Sequence, residues 1–221
     1  MKGKTAVSVL LMFFVLCGSV YAQTAKPSAT PDNYIVFKPG IFYPQGEIDK
    51  MGIGFSGEIA YGRRFHPNAA LEIASGYIGT GANTTSGSAR SISTGIIYPA
   101  EFKAELYAIP VTVAIKGIIP ISKDFDVYMI AGGGGYYANA KLTYTVTGVG
   151  SDSASDNKWV LGGFLGAGLN FDIMKDVFVG LEGKYMWTDR IKMSGNIAGR
   201  AVEESFNLEG VQGVVTIGFR F

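Results

Sequence analysis

The sequence predicts an all-β fold, an eight-stranded antiparallel up-and-down transmembrane β-barrel. Three observations predict it. First, Val211 to Phe221 read V-Q-G-V-V-T-I-G-F-R-F, with Val211, Val215, Ile217, Phe219 and Phe221 on one face and Gln212, Thr216, Gly218 and Arg220 on the other. Period two is the signature of a strand, and a strand that runs to an aromatic end is unusual for a soluble domain, whose ends fray. Second, mean hydropathy is positive at +0.23, yet beyond the N-terminal segment no apolar run approaches the ~20 residues of a spanning helix. Such a chain is either a large soluble core or a closed barrel, because backbone polar groups in lipid need internal partners. Third, the charged face of the strand-like segments is also their glycine-rich face.

The N-terminus carries Lys2 and Lys4, then twelve nearly all apolar residues from Ala6 to Cys17, then Val20-Tyr21-Ala22. A positive region, a short apolar core and a small-residue cleavage site mark a secretory signal peptide, cut after Ala22 and spanning 1–22. Cys17 follows Leu16, where a lipoprotein signal wants a small residue. Removing Lys2 and Lys4 leaves 17 basic residues against 18 acids, a formal charge of −1, so no polybasic patch speaks for nucleic acid. Cys17 is the only cysteine, so the processed chain has no disulfide and no cysteine zinc site. Gly is 31 of 221 residues, about twice the usual ~7%.

Residues 23–32, Q-T-A-K-P-S-A-T-P-D, form a flexible polar tether without periodicity. Eight strand-like segments follow, at about 33–44, 53–65, 69–78, 102–117, 126–138, 159–172, 177–188 and 208–221. Spacers after the second, fourth and sixth are short: 66–68, 118–125 and 173–176. The others are mostly long and polar, notably 79–101, 139–158 and 189–207. Short turns at one end and long loops at the other is the layout of transmembrane barrels. Closure removes every sheet edge. No second domain is expected.

Parity sorts the faces. Odd residues Leu161, Leu165 and Leu169, or Val179, Leu181 and Tyr185, oppose even Gly162, Gly166 and Asn170, or Glu182 and Lys184. A crowded concave interior favours glycine, so the charged face is placed inside and the apolar face against lipid. The inward charges are then Lys38, Glu58, Arg64, Glu72, Lys116, Glu182, Lys184 and Arg220. Aromatics fall at both ends of the apolar face: Tyr43, Tyr77, Tyr107, Trp159, Tyr185 and Trp187 near the long loops, Phe65, Phe171, Phe219 and Phe221 near the short turns. These predict two interfacial girdles. Residues 126–138 show no clear parity, and Pro39 is expected to mark a bulge that puts the faces before and after it out of step.

G-A-G-L-N-F at 166–171, V-G-L-E-G-K-Y at 179–185 and the terminal V-T-I-G-F-R-F together resemble the small eight-stranded outer-membrane barrels of the OmpA/OmpX/OmpW kind, the outer membrane protein β-barrel domain grouping. The resemblance covers 33–221. It implies a Gram-negative outer membrane, with tether and short turns in the periplasm and long loops outside. It further implies that Val215, Ile217, Phe219 and Phe221 form the C-terminal signal read by the barrel assembly machinery. The expected surroundings are outer-membrane lipid and lipopolysaccharide, with no nucleic acid and a monomeric chain. Such motifs specify architecture rather than activity.

An eight-stranded interior is just wide enough to be filled by side chains, and buried charges there must pair. Arg64 and Glu72 flank the turn at 66–68 as a candidate diagonal pair, and Glu182 and Lys184 are candidates to pair with Arg220 across the barrel. A salt-bridged plug is the leading reading; a narrow polar path is the alternative. An enzyme of the lipid-modifying or peptide-cleaving kind generally needs a histidine at the outer rim. The single histidine, His66, lies in a periplasmic turn before Pro67. Ser86, Ser88, Ser91 and Ser93 lack a histidine base on their side. No catalytic residue, metal site or cofactor is expected; Gly132 to Gly135 lacks the Gly-Lys-Ser/Thr of a phosphate loop. The predicted role is non-enzymatic, structural or surface-interacting. A channel or binder for small, hydrophobic solutes ranks second, a lipid A-modifying enzyme third and a soluble lipocalin-type barrel fourth.

Overall fold

The computed structural model describes residues 33–81, 83–90, 97–146, 150–197 and 200–221. The expected signal peptide and tether lie outside them. Among these residues eleven strands occur in chain order: β1 Asn33–Pro44, β2 Gly54–His66, β3 Ala69–Gly79, β4 Asn83–Arg90, β5 Ile97–Pro120, β6 Phe125–Val146, β7 Gly150–Met174, β8 Val177–Thr188, β9 Arg190–Ile197, β10 Arg200–Asn207 and β11 Gly210–Arg220. Eight of them close into an antiparallel ring, β1-β2-β3-β5-β6-β7-β8-β11, with β11 returning to β1.

Away from the bulges at Arg64/His66 and Asp172/Met174, the barrel ladders pair even with even and odd with odd. One parity therefore faces the lumen all the way round. Along β8 and β11 the even residues are buried, Arg220 half-buried, and the odd ones are exposed or half-buried. The outer face is large and apolar, including Phe37, Ile59, Ile73, Val113, Leu161, Leu181 and Ile217. A surface this apolar has no place in water. Inward glycines make room for rings: a Cβ on Gly62 would sit 2.1 Å from the Tyr34 ring, and one on Gly218 2.1 Å from that of Phe178.

Three expectations need correction. Residues 126–138 do have a parity: Tyr128, Ile130, Tyr136 and Ala138 are buried, and it is hidden in the sequence because these inward residues are as apolar as outward Val127, Met129 and Tyr137, with glycine on both faces at 132–135. Pro39 makes no bulge. It sits opposite Gly57 in an unbroken ladder to β2, while the ladder to β11 skips Lys38 and Pro39 and resumes at Gly40 in the same register. Proline has no N–H to donate, so one rung is lost without a change of face. Finally, the long spacers are largely strand. β5, β6 and β7 run 24, 22 and 25 residues, where roughly 9–11 cross a bilayer; β4 extends the sheet beside β5, and β9 and β10 form a separate hairpin. An apolar outer parity is required only in lipid, so it disappears where a strand enters water although the ladder continues. Residues 118–120, expected in a turn, also belong to β5.

Candidate functional site

The lumen side chains project from fixed rungs, and the period-two pleat brings every even residue inward. Across the middle of the barrel lie three lysines and three glutamates. Lys38 Nζ reaches Glu72 Oε2 at 2.9 Å and Glu182 Oε2 at 3.0 Å. Lys116 pairs with Glu72, and Lys184 pairs with Glu58 and, at 3.4 Å, with Glu182 Oε1. All six are buried. Two phenols complete the set: Tyr34 Oη donates to Glu72 Oε1 at 2.8 Å and Tyr128 Oη to Glu182 Oε2 at 2.9 Å. Lys116 Nζ also lies 4.1 Å from the Tyr128 ring centroid, a cation–π contact strengthened by desolvation. The belt is charge-balanced, which a low-dielectric interior demands.

A second, balanced tier closes the end with short turns. Arg220 Nη1 meets Asp172 Oδ2 at 2.8 Å, Arg64 Nη2 lies 4.0 Å from Asp126 Oδ2, and Asn170 Nδ2 donates to Asp126 at 3.1 Å. Two expected pairings are therefore replaced. Arg64 and Glu72 are diagonal in register but do not meet, because Glu72 is held by Lys38 and Lys116. Arg220 takes Asp172 instead of Glu182. The eight charges singled out in the sequence all face inward, in two tiers rather than one network.

Sequence reasoning missed Tyr34, Tyr128 and Asp126, and it placed Asn170 and Asp172 on the inward parity without counting them among the lumen charges and their partners. Tyr34 lies on a parity already assigned inward, so its position was readable. Tyr128 was hidden because both faces of its strand are apolar. Above the belt the lumen turns apolar, with Phe42, Leu106, Tyr136, Phe164, Met186 and Leu208 buried. Ile48, from a 3-10 turn at Gly46–Ile48, and Ile191 of β9 close over it. Between belt and apolar layer is a void of about 10 Å³, lined by Glu58, Thr112, Lys184 and Gln212 among others. That is barely the room of one water.

The outward aromatics occupy two bands. Tyr43, Tyr77, Trp159, Tyr185 and Trp187 are exposed toward the long-hairpin end, with Tyr107 half-buried. Tyr77 stacks on Tyr107 at 5.8 Å, and Tyr137, which sequence reasoning passed over, packs against Trp159 at 5.5 Å. Phe65, Phe171, Phe219 and Phe221 are exposed at the other end, and Val215 and Ile217 share their outer face. His66 is the last residue of β2, and its Nδ1 accepts from the Asn68 N–H of the following turn at 3.2 Å. Ser86 and Ser88 fall on β4; Ser91 and Ser93 lie outside the described residues. Among the described residues no group of three or more His, Cys, Asp or Glu is arranged to hold a metal. Beyond the membrane, Lys103 Nζ contacts Glu105 Oε1 at 2.7 Å on β5, and that hydrogen bond holds the Glu105 carboxyl below its ordinary range.

A family model, "Outer membrane protein beta-barrel domain", matches residues 8–219. The chain belongs to this family. Its barrel accordingly lies in a bacterial outer membrane, short turns toward the periplasm and long hairpins outside. No curated protein matches the chain. Among solved structures, a major outer membrane protein from Thermus thermophilus aligns at a TM-score of 0.53 and 13% identity, covering 87% of this chain and 100% of that one. The attachment invasion locus protein Ail of Yersinia pestis, in complex with the heparin analogue sucrose octasulfate, gives 0.42 and 14%, covering 86% and 99%. The outer membrane protease OmpT of Escherichia coli gives 0.45 and 10%, covering 90% and 99%. At these identities the likeness is one of fold.

Proposed function

We propose that this family member is a non-enzymatic surface-interaction protein, a rigid barrel that anchors a β-sheet projecting outside the cell. One observation carries the reading. The lumen charges are spent on one another, while β4, β5, β6 and β7 continue past the outer girdle as a four-stranded sheet. Among the described residues β4 is the terminal strand of that sheet, with a ladder only to β5. The outer edge of a terminal strand is a template for an added strand. In this reading the belt of Lys38, Glu58, Glu72, Lys116, Glu182 and Lys184, with Arg64 and Arg220 below, is a plug. Residues 1–22 direct secretion and are cut after Ala22. Val215, Ile217, Phe219 and Phe221 are read by the assembly machinery.

The test compares cells carrying the full chain with cells carrying a version lacking 141–155. The shortened barrel is expected to assemble and keep heat-modifiable mobility, while attachment of the cells to a host-cell monolayer drops to that of cells without the protein. Unchanged attachment refutes the role of the sheet. The second reading, passage of a small hydrophobic solute, is favoured by the apolar outer lumen around Phe42, Leu106 and Phe164. It requires that layer to part, and predicts uptake of an alkane by the intact barrel that Leu106→Glu abolishes.

A further inference from the structure

Among the described residues, the large apolar outer face of the barrel carries a shallow, open hollow of about 700 Å³. Its floor is a row of small residues brought side by side by register. Gly213 on β11 is paired with Gly183 on β8, and Gly183 with Ala167 on β7. All three are exposed. Ile41, Val127, Leu169, Leu181 and Val215 form the walls. The row lies one pleat below Tyr43 and Tyr185 of the outer girdle, since Val211 pairs with both.

Three other outward glycines are treated differently. A Cβ on Gly57 would lie 3.4 Å from the Phe55 ring, one on Gly135 3.1 Å from Trp159, and one on Gly163 3.0 Å from Trp187. In each case an aromatic folds over the bare backbone. Around Gly183 and Gly213 nothing lies within 4 Å. Two adjoining strands thus present uncovered ladder to the hydrocarbon, flanked by the site where Pro39 removes a rung between β1 and β11. A depression with apolar walls and no polar side chain reaching into it suits a hydrocarbon chain, because the dispersion attraction forfeited at a void returns only when atoms fill it.

We propose that this hollow seats one acyl chain of an outer-leaflet membrane lipid, held beneath the tyrosine ledge. A second copy of the barrel is the competing occupant. The hollow is about three strands wide at ~4.8 Å spacing and some four residues tall at ~3.3 Å rise, an area on the order of 200 Å². A stable protein interface needs roughly 800 Å² per partner, so size favours the chain.

The full-length protein is reconstituted with phosphatidylcholine carrying a nitroxide near the end of one chain, and the immobilised fraction is read by electron paramagnetic resonance. Wild type is expected to immobilise one more lipid per barrel than a Gly183→Leu/Gly213→Leu variant, with Val179→Leu behaving as wild type. Heat-modifiable mobility checks that each variant has folded. Equal immobilised fractions in folded wild type and double variant overturn the proposal. So does a wild-type dimer in detergent that Gly213→Leu converts to monomer, which assigns the hollow to a second copy. If the double variant fails to assemble, wild type alone decides. In protonated lipid, nuclear Overhauser effects from chain methylenes to the methyls of Ile41, Leu181 and Val215 should exceed those to Ile73 and Val113 on the opposite wall. Equal effects refute the site.

Discussion

Glu182→Ala tests the plug most directly. The Glu182 carboxylate has no exposed surface; it meets Lys38 at 3.0 Å and Lys184 at 3.4 Å and accepts from Tyr128 at 2.9 Å. Its removal leaves one excess positive charge in a belt of three lysines and two glutamates, and one phenol without an acceptor. Breaking a buried pair costs about 3–5 kcal/mol, and an unsatisfied buried hydroxyl about 1–3 kcal/mol. Lys38 keeps Glu72 and Lys184 keeps Glu58, so the expected loss falls near the lower bound, about 3 kcal/mol. Lys38→Met should cost a similar amount with the opposite sign of excess charge. Combining Lys38→Met with Glu182→Ala restores balance, and the pair should cost at least about 1 kcal/mol less than the two single losses added. The assay is urea unfolding in lipid vesicles, followed through the fluorescence of Trp159 and Trp187. Strict additivity, or a Glu182→Ala loss below about 1 kcal/mol, refutes the buried belt. Steady open-channel currents from wild type in a planar bilayer, with a selectivity that Glu182→Ala changes, refute the plug as a whole.

The lower tier should behave differently. Asp172 and Arg220 keep 28% and 14% of side-chain exposure, so Arg220→Ala should cost no more than about 1 kcal/mol and less still in high salt, checked by the same unfolding assay. Gly62→Val forces a side chain into the Tyr34 ring, and should cost about 1–3 kcal/mol that Tyr34→Ala partly relieves; equal stability of Gly62→Val and wild type contradicts the packing described. Replacing Phe219 and Phe221 with Ser removes exposed aromatics at the periplasmic girdle and should empty the outer membrane of folded protein, measured by fractionation and heat-modifiable mobility. Normal folded levels would show that the terminal strand carries no assembly signal.

Much of the barrel is legible in the sequence because lipid imposes a rule on single residues. Where a strand crosses hydrocarbon, every second side chain must be apolar, and Val179, Leu181 and Tyr185 against Glu182 and Lys184 state the facing of β8 without reference to any neighbour. Even-with-even pairing then carries one parity around the ring, so each inward charge could be named from its own strand. The rule fails where its cause is absent. Where the lumen itself is apolar the two faces look alike, and glycine at 132–135 sorts neither, which hid the facing of Tyr128. Water makes no demand on strand faces, which hid β4, β9, β10 and the upper halves of β5 to β7. Pro39 reads locally as a defect, yet neighbours on both sides hold its register. The pairing inside the lumen is decided by tertiary structure alone. Stagger and closure determine which strands face one another at each level, and so Lys184 finds Glu58 three strands away while Arg64 passes by Glu72, its diagonal neighbour. The bare floor at Gly183 and Gly213 has the same origin: they lie 30 residues apart in the sequence, and only the β8–β11 register makes them adjacent.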